Sequence, residues 1–214
     1  MCSHQRALDV GIKLLGEEHA RTAEIYHEFG VTQHSLGNFI SALQSHQRAL
    51  DVRLKLLGED HASTAYSYHE HGLALHSLGD FTSALQSNQR ALAVRIKLFG
   101  DVHARTADSY HSLGVTNHWL GDFTSALRSH QRGLDVRLKL FGEDHASTAD
   151  SYHSLGVTHH LLGGFTSALQ SDQRALDVGI KLFGVGYAST AKGYHSLGVT
   201  QHSLGDFTSA LHSF

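Results

Sequence analysis

Apolar and small residues between positions 62 and 78 recur at intervals of three and four: Ala65, Tyr68, Gly72, Leu75 and Leu78. That is the period of an α-helix with one buried stripe. His61–Ala62–Ser63–Thr64 opens the stretch with polar groups able to cap the free N–H groups of a first helical turn. Gly79–Asp80 stops it and turns the chain. Phe81 then begins a second stripe, through Ala84, Leu85, Ala91, Leu92, Ile96 and Phe99, which Gly100 closes. The spacing predicts a helix A of about 17 residues and a helix B of about 19, each roughly 25–29 Å long. No stretch alternates in the manner of a strand, so the expected fold is all-α.

The same pattern returns every 42 residues. Gly37, Gly79, Gly121, Gly163 and Gly205 keep that spacing, as do Gly30, Gly72, Gly114, Gly156 and Gly198, and Tyr26, Tyr68, Tyr110, Tyr152 and Tyr194. Phe39, Phe81, Phe123, Phe165 and Phe207 follow it too. Self-similarity at such a period marks a solenoid of stacked helical pairs. The units expected are about 20–57, 62–99, 104–141 and 146–183, with a partial helix B at 1–15 and a partial unit at 188–214, all in one domain. Glycine in mid-helix costs on the order of 1 kcal/mol against alanine. Gly72 and Gly114 are therefore expected where helix B comes close, with Ala84 and Ala126 facing them. Gly164, in place of Asp80 and Asp122, and Val185–Gly186–Tyr187, in place of Glu143–Asp144–His145, should loosen the C-terminal third.

Composition narrows the function. Net charge is −3 with histidines neutral, which gives no bulk attraction for nucleic acid or an anionic membrane. One cysteine, Cys2, excludes an internal disulfide framework and fits a reducing, cytoplasmic setting. No apolar run approaches the roughly 20 residues of a membrane span, and the N-terminal stretch lacks the apolar core of a secretory signal. The chain has no proline, and its 20 histidines outnumber its 17 lysines and arginines.

Those histidines do not spell out chemistry. Ser, His and Asp recur with the repeat, as a fold motif does and a single catalytic site does not. The paired histidines of helix A are seven apart, so two helical turns, roughly 10 Å, separate them. Zinc ligands on one helix need spacings of three or four. No enzyme activity, metal or cofactor is expected.

Tyr110-x-x-Leu113-Gly114, the turn glycine Gly121, the helix-B opener Phe123 and the small residues Ala126 and Ala91 resemble the tetratricopeptide repeat (TPR). The long helix B ending in RLKLFG, the EDH linker and the 42-residue period resemble the kinesin-light-chain and nephrocystin-3 type of that repeat. His-Ala stands at His61–Ala62, His103–Ala104 and His145–Ala146, where that type carries His-Pro; Asn117 and His130 stand where it usually has aromatic residues. The resemblance implies a right-handed superhelical solenoid of antiparallel helix pairs. It implies a non-catalytic scaffold that holds a peptide or helix of a protein partner in a concave groove lined by helix A. Carried over by position, the groove residues are His27, Val31 and His34; Tyr66, His69, Leu73 and His76; Asp108, His111, Val115, His118 and Trp119; Asp150, His153, Val157 and His160; and Lys192, His195 and His202. Glu24, Ser35, Ser77, Leu161, Val199 and Ser203 complete the rows. Trp119, the only tryptophan, is the candidate anchor. Two histidine rows flanking an apolar row are expected along the groove, charging below about pH 6.5 and favouring acidic peptides there.

The ends suggest an alternative. Met1 has the repeat phase of Leu43 and Phe214 that of His46, so the sequence breaks inside helix B at both ends. It reads as part of a longer array, or as a structural unit stacking head to tail into fibres or rings through Leu8, Ile12, Leu15, Phe207, Leu211 and Phe214.

Overall fold

The computed structural model describes the backbone of residues 2–213 and, apart from residues 2–5, 188 and 189, their side chains. Phe214, assigned above to the end contact, lies outside the described residues. Eleven α-helices and no strand occur among them. The helices A are α2 (Ala20–Ser35), α4 (Ala62–Ser77), α6 (Ala104–Trp119), α8 (Ala146–Leu161) and α10 (Ala188–Ser203). The helices B are α3 (Phe39–Leu57), α5 (Phe81–Phe99), α7 (Phe123–Phe141) and α9 (Phe165–Phe183), with α1 (Cys2–Leu15) and α11 (Phe207–Ser213) as the partial copies. Full helices A have 16 residues and full helices B 19. The chain forms two compact units, Met1–Gly100 and Asp101–Phe214.

Local chemistry sets most of the helix boundaries. The histidine of each His-Ala pair is a helix cap: Nδ1 of His19, His61, His103 and His145 accepts the backbone N–H of Arg21, Ser63, Arg105 and Ser147 at 3.1–3.2 Å. At the A–B turn, Gly79 adopts φ +82°, and Asp80 N–H donates back to Leu75 O, closing α4. Asp80 then caps α5 by accepting from Ser83 N–H at 3.1 Å; hydrogen bonds from the Ser83 side chain and backbone hold its carboxyl below the usual value. Asp122 and Asp206 do the same for α7 and α11. Thr64 Oγ1 donates to Gly58 O, and Thr148 Oγ1 to Gly142 O, fastening each helix A to the preceding helix B.

Packing is built around the tyrosine of helix A. In Met1–Gly100, Leu50 of α3, Tyr68 of α4 and Ala91 of α5 form one buried cluster. In Asp101–Phe214, Leu134, Tyr152 and Leu155 form its counterpart. A buried arginine of helix B ties the pairs together: Arg53 donates to Ser67 Oγ at 2.7 Å, and Arg137 to Ser151 Oγ at 2.8 Å.

The mid-helix glycines face a different residue from the one expected. A Cβ on Gly72 would lie 2.5 Å from Asn88 Oδ1, and one on Gly114 would lie 2.3–2.7 Å from the His130 ring. The nearest side chains are thus four residues beyond Ala84 and Ala126, because glycine makes room for a buried polar side chain rather than for helix backbone alone. Gly30 with His46 and Gly156 with Asp172 repeat the arrangement.

The predicted weakening at the C-terminal side has local counterparts. No side chain caps α9 or α10, whose N-cap residues are Gly164 and Tyr187. The arginine position is also lost, since Gly179 stands where Arg53 and Arg137 dock. A Cβ there would meet only Thr190 Oγ1, at 3.8 Å. Gly179→Ala is therefore expected to stabilise the chain by about 1 kcal/mol, read from the urea midpoint.

Candidate functional site

The first histidine row follows the core tyrosines and is drawn inward with them. The His27 ring lies between His46 of α3 and Tyr66 of α4, with ring centroids 5.6 and 4.7 Å away. His111 lies 5.6 Å from His130. Burial, reinforced by Arg53, lowers the His27 pKa from 6.5 to about 4. Burial also lowers that of His111. His69 is half-buried at the same position of α4. His153 Nδ1 reaches Ser196 Oγ of the next helix A at 3.4 Å, and His195 is exposed.

The second row is held from two sides. His34, His118, His160 and His202 pack their rings on Phe39, Phe123, Phe165 and Phe207 at 5.1–5.6 Å, across the A–B turn. His76 does the same with Phe81 and has its pKa lowered by burial. His34 Nε2 pairs with Ser77 Oγ, and His160 Nε2 with Ser203 Oγ, both at 2.9 Å, linking adjacent helices A within each unit. The expectation of open histidine rows titrating together is corrected here. Most of these rings are packed, and His27, His76 and His111 hold pKa values below the ordinary one. Only His195 and His202 are exposed.

What faces solvent is a narrower set. The position two before the tyrosine is exposed in every repeat: Glu24, Tyr66, Asp108, Asp150 and Lys192. Asp108 is also held by Arg137, at 3.2 Å. Beside this row runs an apolar one, with Val31 and Val157 exposed and Leu73, Val115 and Val199 half-buried. Trp119 is 59% exposed at the end of α6. The end residues divide. Leu15, Phe207 and Leu211 are exposed and Ile12 is half-buried. Leu8, only 6% exposed, is a correction: it has the repeat position of Leu50 and is used up inside its own unit.

Beyond the departure noted at His130, the sequence pattern does not mark the buried polar row His46, Asn88, His130 and Asp172, each 4% exposed or less. Burial is the main cause that lowers His46 and His130 from 6.5 to about 3, with smaller contributions from His27, His34, His71 and Arg53 in the first case and His111, His118 and Arg137 in the second. Burial pushes the Asp172 carboxyl upward, against the hydrogen bond Thr200 Oγ1 donates to its Oδ2 at 2.8 Å. A polar side chain 16 residues after each helix-A glycine was the available signal. Among the described residues, no group of three or more His, Cys, Asp or Glu could hold a metal ion, and no helix is long and apolar enough to cross a membrane.

Comparison with known proteins agrees with this geometry. The tetratricopeptide-repeat family profile matches residues 3–55, 34–97, 63–137 and 105–181. No curated protein matches the chain. Among solved structures, a kinesin light chain of Podosopora anserina with nearly identical TPR-like repeats superposes with a TM-score of 0.81 at 19% identity, covering 91% of this chain and 92% of that one. BtubC (BKLC) from P. vanneervenii gives 0.84 at 19% identity, covering 99% and 85%. A Rap protein complexed with Competence and Sporulation Factor gives 0.71 at 15%, covering 93% of this chain and 52% of the Rap chain. With four overlapping profile matches over most of its length, the chain belongs to the tetratricopeptide-repeat family.

Proposed function

We propose that the exposed face of the helices A holds an extended or helical segment of a protein partner, without catalysis. One observation carries this reading. The position two before the tyrosine is exposed in every repeat and changes along the chain, running Glu24, Tyr66, Asp108, Asp150, Lys192. A repeating frame that presents a non-repeating row of side chains suits a partner whose own sequence does not repeat. The 42-residue phase passes residue 100 without insertion, so we take 1–214 as one run of repeats. The Rap protein of like fold, solved with Competence and Sporulation Factor, supports the class of ligand.

Trp119 reports on this face without a label. A peptide selected from a random library on the full chain is expected to shift its emission to the blue. Trp119→Ser is then expected to weaken that peptide roughly tenfold. Selected peptides that leave the emission unchanged, and bind Trp119→Ser as tightly, would remove the site from this surface.

A further inference from the structure

Within Asp101–Phe214, a cavity of about 210 Å³ opens among α8, α9 and α10. Val157, Leu161 and Val199 supply its apolar lining, beside His160, His195 and Ser196. Asp172 of α9 lies on its wall at 2% exposure. The side chain is accommodated because Gly156 has no Cβ; one would lie 2.1 Å from Asp172 Oδ1. Thr200 occupies Oδ2, while Oδ1 is buried with no hydrogen-bond partner among the described residues. No lysine or arginine lines the cavity, and its other titratable groups are His160 of α8 and His195 of α10.

We infer that this cavity receives a lysine side chain of the bound partner segment, its methylenes against Val157, Leu161 and Val199 and its ammonium on Asp172 Oδ1. A carboxylate oxygen buried without a donor is costly, and a cation there offsets the cost. Only one oxygen lacks a donor. A lysine point charge needs one, whereas the two-pronged arginine guanidinium is best matched by two. The long lysine stem suits the apolar side chains that line the cavity beside Asp172. The other repeats do not offer this: His46, Asn88 and His130 occupy the equivalent position and carry no negative charge. The site would therefore fix the register of the partner on the array.

The occupant rests on the proposed partner-binding face, but the test does not need a partner. The full chain is titrated with n-butylammonium, n-butylguanidinium and n-butanol at about pH 8, above the range in which histidine ordinarily charges. Amide and methyl NMR signals are followed. We expect n-butylammonium to shift Gly156, Val157 and Val199 and to leave their counterparts Gly72, Leu73 and Val115 in place. Asp172→Asn should weaken that response roughly tenfold. This variant is expected to fold, because Asn88 already occupies the equivalent place against Gly72. The wild-type contrast between ammonium and alcohol holds whatever the variant does. The inference is overturned by no shift at Gly156, by equal shifts with n-butanol, by tighter binding of n-butylguanidinium, or by an unchanged response in folded Asp172→Asn. Peptide binding that survives while n-butylammonium fails would sink this inference and leave the partner-binding face standing.

Discussion

Lowering the pH from about 7.5 to 5 is expected to cost the folded chain roughly 4 kcal/mol through two buried histidines, about 2 from His46 and about 2 from His130. Both rings are almost wholly buried, and burial holds their pKa values at about 3. In the unfolded chain they titrate near 6.5. Between those values the unfolded state binds more protons, so stability falls as pH falls; it is complete above pH 6.5 and drains as pH drops toward 3. His27, lowered to about 4, acts in the same direction. Glu70 and Asp172, raised by burial, act in the opposite one at the acid end. Urea midpoints at the two pH values measure the drop. His46→Asn with His130→Asn should remove that share of it, because asparagine is already accepted at position 88. A drop of the same size in that double variant would show that these rings are not the acid-sensitive element. For the same reason His27 stays neutral in the folded chain until about pH 4, and it cannot help to charge the binding face at pH 5.5.

Gly114→Ala is expected to destabilise the chain by about 2 kcal/mol, although alanine is the better helix former. Its Cβ would sit 2.3–2.7 Å from three atoms of the His130 ring, which is only 4% exposed and has little room to move. The loss should be specific to that pair. In a His130→Ala background the new methyl meets a vacated space, so Gly114→Ala should there become neutral or stabilising. That corresponds to a coupling of about 2 kcal/mol in the double-mutant cycle. Additive effects would mean that the glycine is kept for the approach of the helix backbones. The buried polar row would then lose its place in the packing scheme.

The fold was legible because its signals repeat. The spacing of Tyr68, Gly72, Phe81 and Gly100 defines one pair of helices, and 42-residue copies of those residues leave little freedom elsewhere. Helix A came out one residue shorter than its pattern implied, because Leu78, counted in the apolar stripe, is already the C-cap. The site was legible only in part. Positions transfer through the repeat, and Tyr66, Asp150 and Lys192, which share one position, are all exposed. Burial does not transfer in that way. His27 and His111 carry polar labels, yet each packs against a helix-B histidine that periodicity assigns to the apolar side. Asp172 could not be singled out because its partners, Gly156 and Thr200, lie 16 and 28 residues away on two other helices. Leu8 misled for the opposite reason: its pattern shows an apolar residue near a chain end, but not the neighbouring helix that covers it.

The most direct test compares exposed positions on helices A with exposed positions on helices B. A library-selected peptide is titrated against the full chain carrying Tyr66→Ser or Lys192→Ser on the helix-A row, and Gln89→Ser or Gln131→Ser among exposed residues of helix B. A partner seated on the helix-A face should lose roughly tenfold or more in affinity with at least one of the first pair, and change by no more than about twofold with either of the second. Losses confined to the helix-B variants would contradict the assignment of the binding surface to helix A.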